Sequence, residues 1–184
     1  QAVILAGGKG ERLKPITNKI PKPMALVNNV PFLDYLINSI LKNKISNFVI
    51  LTGYKSKNII KRYKKINSIN VIFSNGNSND LSGKRLIDAY DKLDDYFLLV
   101  YGDNYWNFNL NSMIKKYKQN NTLISLTAYL NSNGDGEYGL KNNVLFKDNG
   151  VVLKYNNINR SDKMNATNIG YFIVDKKTIN KSIV

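Results

Sequence analysis

Short apolar runs alternate with stretches of helical spacing along most of this chain, and that alternation restricts its fold more than any other feature. Residues 2–6 form a continuous apolar run that stops at Gly7-Gly8-Lys9-Gly10, the pattern of a strand buried on both faces that ends in a glycine loop. Next, Phe32, Leu33, Leu36, Ile37, Ile40 and Leu41 recur at helical spacing, and residues 48–51 read as the following buried strand. Helix-like 59–63, strand-like 71–73, helix-like 86–93 and strand-like 97–100 continue the rhythm. Strict alternation of this kind predicts a parallel sheet covered by helices, a doubly wound α/β fold.

Residues 113–117 continue as a helix and 123–130 as a strand, after which Asn131-Ser132-Asn133-Gly134-Asp135-Gly136 breaks the rhythm with a flexible loop. Residues 144–146 and 151–153 flank Asp148-Asn149-Gly150, a turn signal that predicts a hairpin adding antiparallel strands to the sheet edge. Residues 169–174 make the final strand. One domain over residues 1–184 is expected. Its end falls in mid-pattern, which leaves open that the chain is C-terminally incomplete.

The chain has no Cys and no His, so thiol nucleophiles, disulfides, thiolate or imidazole metal sites and His-based proton relays are excluded. Carboxylates, Lys, Arg, hydroxyls, backbone amides and hard cations remain, the means by which phosphoryl groups are transferred. Against 13 Asp and Glu stand 27 Lys and Arg, a formal charge of +14 that suits nucleic acid, an anionic membrane or small polyanionic substrates. The lysines are scattered among Asn and Ile, and only 55–65 is dense, which reads as the outer face of a helix. No apolar run is long enough to span a bilayer, and no leader is expected before the first strand. The expected protein is cytoplasmic, with neither membrane nor nucleic acid as partner.

Directly after the first strand, Gly7-Gly8-Lys9-Gly10-Glu11-Arg12-Leu13 offers backbone N–H groups that can curl around an anion. The spacing is neither that of a dinucleotide fingerprint nor that of a Walker A loop, so by itself the segment also fits a tight turn. Arg12 and Lys22 supply two cations shortly afterwards, and Pro21-Lys22-Pro23-Met24 is expected to hold Lys22 in an extended segment. Asp103 ends a buried strand, where a carboxylate is costly unless it meets a cation.

Leu5-Ala6-Gly7-Gly8-Lys9-Gly10-Glu11-Arg12-Leu13-Lys14-Pro15-Ile16-Thr17 followed by Pro21-Lys22-Pro23-Met24 closely resembles the opening signature of the sugar-1-phosphate nucleotidyltransferases. The resemblance continues through Pro31-Phe32-Leu33-Asp34-Tyr35-Leu36, Leu51-Thr52-Gly53-Tyr54 and Tyr101-Gly102-Asp103-Asn104. It implies a Rossmann-like three-layer α/β/α sandwich with a mostly parallel mixed sheet and added antiparallel strands. Residues 1–104 become the nucleotide-binding half and 105–184 the acceptor-binding half. Leu5, Ala6, Gly7, Gly8, Lys9, Gly10 and Glu11 then line the nucleotide together with Gly102. By the same resemblance Arg12 holds the triphosphate, Lys22 reaches the phosphates and Asp103 binds Mg²⁺. Glu11 stands where the family often has Thr, and a negative charge beside phosphates is unexplained by the sequence.

Base choice in such enzymes is usually read around the third strand. Asp80-Leu81-Ser82-Gly83-Lys84-Arg85-Leu86 resembles the Thr-Gly-Gly-Arg-Leu element of the cytidylyltransferase branch. Ser82, Gly83 and Arg85 are then nucleotide contacts, with the Arg85 guanidinium offered to the cytosine carbonyl and CTP as the expected triphosphate. The alternative is that Ser82-Gly83 caps a helix beginning at Leu86. Guanylyl transfer stays open, since residues 22–33 are similar to heptose-1-phosphate guanylyltransferases.

The acceptor half departs further from the pattern. Tyr138-Gly139 resembles the family's Tyr-Gly acceptor contact, and Asn168-Ile169-Gly170-Tyr171 its Asn-Ala-Gly-Tyr strand. The expected Glu-Lys-Pro reads Tyr155-Asn156-Asn157-Ile158-Asn159-Arg160 instead, leaving Lys154 or Arg160 as substitutes for its Lys or as solvated cations. The acceptor is thus a sugar 1-phosphate or another phosphomonoester, such as a heptose phosphate, phosphocholine or a phosphorylated amino acid. A second metal-binding Asp of the family is unassigned, and Asp175 is expected to open the next helix. The resemblance implies transfer of a nucleoside monophosphate for surface or capsule polysaccharide synthesis. A homo-oligomer, a silent nucleotide sensor and a basic nucleic-acid-binding protein are the remaining alternatives.

Overall fold

The computed structural model describes residues 1–131, 133–134 and 139–179. Strand β1 (Ala2–Leu5) leads through three single 3-10 turns into a short antiparallel pair, β2 (Leu26–Val27) and β3 (Val30–Pro31), and then α1 (Phe32–Lys42). There follow β4 (Asn47–Thr52), α2 (Ser56–Tyr63), β5 (Asn70–Asn75), α3 (Ser82–Asp88), β6 (Tyr96–Tyr101), α4 (Leu110–Asn120) and β7 (Ile124–Tyr129). The chain continues with β8 (Val144–Phe146), β9 (Val152–Tyr155) and β10 (Thr167–Asp175). Two compact units are present, 1–125 with 172–184 and 126–171, and the boundary falls within β7 and β10.

The six-stranded sheet has the order β5-β4-β1-β6-β10-β7, with β1 parallel to both β4 and β6, and β4 parallel to β5. Strand β10 runs the other way: at its end Asp175 N–H donates to Leu123 O just before β7, and Lys176 N–H donates to Asp95 O just before β6. The sheet is therefore mixed but mostly parallel, as expected. Strand order turns at β1, since β4 lies on one side and β6 on the other, and such switch points open a crevice at the carboxyl ends of the strands.

Burial explains why these strands read as unbroken apolar runs. Ala2, Val3, Ile4, Phe48, Val49, Ile50, Leu51, Phe97, Leu98 and Val100 are all buried, because helices cover both faces of a parallel sheet. Helix α1 buries Leu33, Leu36, Ile37 and Ile40 on one stripe. Helix α2 buries Ile59 and Tyr63 and turns Lys57, Lys61 and Arg62 outward, the outer-face reading of its basic stretch.

The two helices are tied by a polar contact. Asp34 in the first turn of α1 accepts from Arg62 Nε at 2.9 Å, from Arg62 Nη2 and from the Tyr63 hydroxyl. Burial would raise the Asp34 carboxyl, but the hydrogen bonds from Arg62 and Tyr63 outweigh it and hold the group below its ordinary value of 3.8. A carboxyl lowered in the folded state contributes stability above its unfolded value and loses it as pH falls through the folded one. Asp34→Asn is thus expected to cost about 1–3 kcal/mol at pH 7. In urea unfolding at stepped pH, the gap to the parent chain narrows only below about pH 4.

Some expectations need correction. The helix expected at 86–93 starts at Ser82 and ends at Asp88, with a separate 3-10 turn at Tyr90–Lys92. Its first turn carries no apolar residue before Arg85, so periodicity could not show it. The hairpin forms as expected, with Val144 opposite Tyr155, yet β8 and β9 make a two-stranded sheet of their own rather than extending the large one. Part of the 131–136 loop and all of Tyr138 lie outside the described residues. Among the described residues no helix is long and apolar enough to cross a membrane.

Candidate active site

Chain geometry at the carboxyl ends of β1 and β6 brings the candidate residues of the first unit together. Gly102 N–H donates to Leu5 O at 2.9 Å and Asn104 N–H to Tyr101 O, so the chain turns at once after β6 and presents Asp103 at the tip. On the other side, Ala6 N–H donates to Leu51 O, which commits the backbone of Leu5 and Ala6 to the ladder and starts the glycine loop at Gly7.

Lys22 reaches this edge from the segment that follows the loop. Pro21 is extended, but Lys22–Met24 is a 3-10 turn, closed by Met24 N–H to Pro21 O and Ala25 N–H to Lys22 O. The extended conformation expected for Lys22 is therefore corrected: proline restrains the residue before it, and a single turn still forms beyond. Gly10 makes room for the Lys22 stem. It has φ +63°, and a Cβ there would lie 2.8 Å from Lys22 Cβ and 2.9 Å from Thr17 Cγ2. Thr17, buried and overlooked in the sequence, donates from Oγ1 to Gly10 O at 3.0 Å, and the Tyr54 hydroxyl donates to Thr17 O at 2.9 Å.

The result is an ion pair across 81 residues of chain, with Lys22 Nζ 2.7 Å from Asp103 Oδ2. Each side chain is about a third exposed. A pair so exposed is worth about 0–1 kcal/mol, so a polyanion and its cation can separate the partners at little cost. Lys9 and Arg12 are exposed nearby in sequence, Arg12 in the 3-10 turn Glu11–Leu13. Glu11 pairs with Lys14 three residues on, and that contact holds its carboxyl below the usual range. The carboxylate is thus partnered within its own turn.

Arg85 corrects an expectation. It is only 5% exposed, and its Nη1 donates to Thr52 O at 2.7 Å while Nη2 donates to Gly7 O at 3.1 Å and Asn77 O at 2.6 Å. A guanidinium so buried and engaged with backbone differs from the outward-facing group expected from the sequence. Ser82 and Gly83, in contrast, are exposed on the first turn of α3, and nothing lies within 4 Å of a Cβ placed on Gly83.

In the second unit, Asn168 is buried, donates from Nδ2 to the Tyr155 hydroxyl at 3.1 Å and accepts from Gly170 N–H at 2.8 Å. The amide thus supports Tyr155, whose ring is exposed. Gly139 has φ +56° and its carbonyl accepts from Asn131 Nδ2. Lys154 is exposed on β9 opposite Leu145, and Arg160 is half-buried.

A model of the nucleotidyl transferase family matches residues 1–177. The chain belongs to the nucleotidyl transferase family. Over 203 aligned residues this nucleotidyl transferase is 27% identical to a probable glucose-1-phosphate cytidylyltransferase of Bacillus subtilis, covering 98% of the chain and 76% of the relative. Over 65 residues it is 45% identical to the D-glycero-alpha-D-manno-heptose 1-phosphate guanylyltransferase of Campylobacter jejuni, covering 35% of the chain and 29% of the relative. The crystal structure of HddC from Yersinia pseudotuberculosis complexed with GMP-PN has a TM-score of 0.75 at 23% identity. That likeness covers 97% of this chain and 77% of that one, and it shows the shared fold. The nucleotidyl transferase spans about half the length, or less, of other curated relatives it matches.

Proposed function

We propose that this chain transfers a nucleoside monophosphate from a triphosphate, with CTP favoured, to a small phosphomonoester such as a sugar 1-phosphate. An acceptor phosphate oxygen attacks the α-phosphorus in line, the bond to the bridging oxygen breaks, and pyrophosphate leaves. The observation that carries this reading is the Lys22–Asp103 pair at the strand-order switch beside the glycine loop, a cation and a carboxylate of the kind that phosphates and their counter-ion require. Arg12 and the loop amides hold the β- and γ-phosphates, and Lys22 neutralises charge growing at the α-phosphate.

Among the described residues no three of His, Cys, Asp and Glu gather into a metal cage. An exposed Asp103 carboxylate next to a phosphate site fits a hard cation that draws its other oxygens from substrate and water, which is how Mg²⁺ is usually held. Bound there, Mg²⁺ would supply neutralisation of phosphate charge, with Asp103 as its protein ligand.

The preference for CTP rests on the cytidylyltransferase similarity and, within the Ser82–Leu86 element, on the exposed Ser82 and Gly83 rather than on Arg85, while the guanylyltransferase similarity supports GTP as a second reading. Pyrophosphate release is the test, run with Mg²⁺ and each of CTP, GTP, UTP, dTTP and ATP against sugar 1-phosphates, phosphocholine and phosphoamino acids. Turnover confined to CTP is the expected outcome, and turnover confined to GTP reverses the base assignment. Silence across the panel in a folded sample, with triphosphate bound, favours a nucleotide sensor. Tight, steeply salt-dependent DNA binding without triphosphate binding favours the nucleic-acid reading.

A further inference from the structure

We propose that Arg85 is a positioning residue that aims the backbone N–H of Gly8 at the bound triphosphate and does not read the base. This rests on the reading of the glycine loop as the nucleotide site. The Arg85 hydrogen bonds reach three separate loops, at Gly7 after β1, Thr52 at the end of β4 and Asn77 after β5. All three of these partners are backbone carbonyls.

Three glycines make the space for it. A Cβ on Gly7 would collide with the Arg85 Cζ and Nη1, one on Gly53 would lie 2.5 Å from Nη1, and one on Gly76 would lie 3.1 Å from Nη1. Each of these glycines follows a parallel strand, so the guanidinium occupies the volume of the side chains missing at Gly7 and Gly53 and shares that at Gly76 with Asp80 Oδ2.

The consequence for the nucleotide follows from peptide geometry. Gly7 O accepts from Arg85 Nη2 at 3.1 Å and from Tyr54 N–H at 3.0 Å, which draws this carbonyl inward. The Gly7–Gly8 peptide is trans, and in a planar trans peptide the following N–H points opposite to the carbonyl. Gly8 N–H is therefore turned outward, where Gly8 is exposed and nothing lies within 4 Å of a Cβ placed on it. Clamping one carbonyl from below thus orients the donor above it before any anion arrives, so no reorganisation is needed on binding.

The test measures Mg²⁺-dependent binding of CTP, GTP and UTP to the full chain by calorimetry, in the parent protein, Arg85→Lys and Arg85→Gln. Neither replacement spans three carbonyls with a rigid fork, so both are expected to weaken all three triphosphates by a similar factor, about tenfold or more, with the ranking of bases unchanged. A loss confined to one base would make Arg85 a base reader and overturn the proposal, as would unchanged affinity. Should the variants fail to fold, the parent chain still decides: the Gly8 amide resonance must shift when triphosphate is added, and an unmoved Gly8 refutes the inference. If the parent binds no triphosphate at all, the nucleotide-site reading itself falls and takes this proposal with it.

Discussion

Lys22→Ala and Asp103→Ala each lower pyrophosphate release by roughly 100- to 1000-fold, the range expected when a preorganised group that stabilises developing charge is removed. The melting temperature should hardly move. Both side chains are about a third exposed and their mutual contact is worth about 0–1 kcal/mol, which for a chain of this size shifts unfolding by only about 0–4 °C. The two substitutions serve the same phosphates, so together they should cost far less than the product of the single losses. The exchanged variant, Lys22→Asp with Asp103→Lys, separates structure from chemistry: it restores an ion pair but leaves the cation and the carboxylate in exchanged positions. Near-parent turnover in either single variant removes Lys22 and Asp103 from the catalytic assignment.

Phe97→Ala has the largest expected effect on stability. Phe97 is 1% exposed near the start of β6, among buried residues of the central strands. Truncating a buried Phe typically costs about 3–5 kcal/mol, a large share of the roughly 5–15 kcal/mol by which domains are stable. A fall of about 10 °C or more in the melting temperature is expected. Because Asp103 lies in the turn beyond the other end of the same strand, which spans about 13 Å from Phe97 to Tyr101 at strand rise, the fraction still folded should keep its turnover. A melting temperature unchanged within about 2 °C contradicts this account of the core.

Much of the fold was legible in the sequence because its elements bury regular faces. The strands around Ile4, Ile50 and Leu99 are apolar without interruption, and α1 repeats Leu33, Leu36, Ile37 and Ile40 on one stripe. Pieces that bury nothing regular escaped. The first turn of α3 is Ser82-Gly83-Lys84, β2 and β3 are two residues each, and the turn at Lys22–Met24 hides behind a proline signal that suggests extension.

By itself the sequence determined the inventory and the rhythm. Without Cys or His, and with Gly7-Gly8-Lys9-Gly10 closing an apolar strand, it restricted the chemistry to cations, carboxylates and backbone amides around phosphate. Which of these groups meet was decided by tertiary structure alone. Lys22 finds Asp103 across 81 residues, and Arg85 finds Gly7 across 78. Those meetings depend on strand order, β5-β4-β1-β6, which places the ends of distant strands side by side. Hydrophobic periodicity reports which face of an element is buried; it carries no record of which strand lies next to which. The guanidinium of Arg85 therefore reads in sequence as a base contact, and in the folded chain it lies under the loop, holding three backbone carbonyls in place.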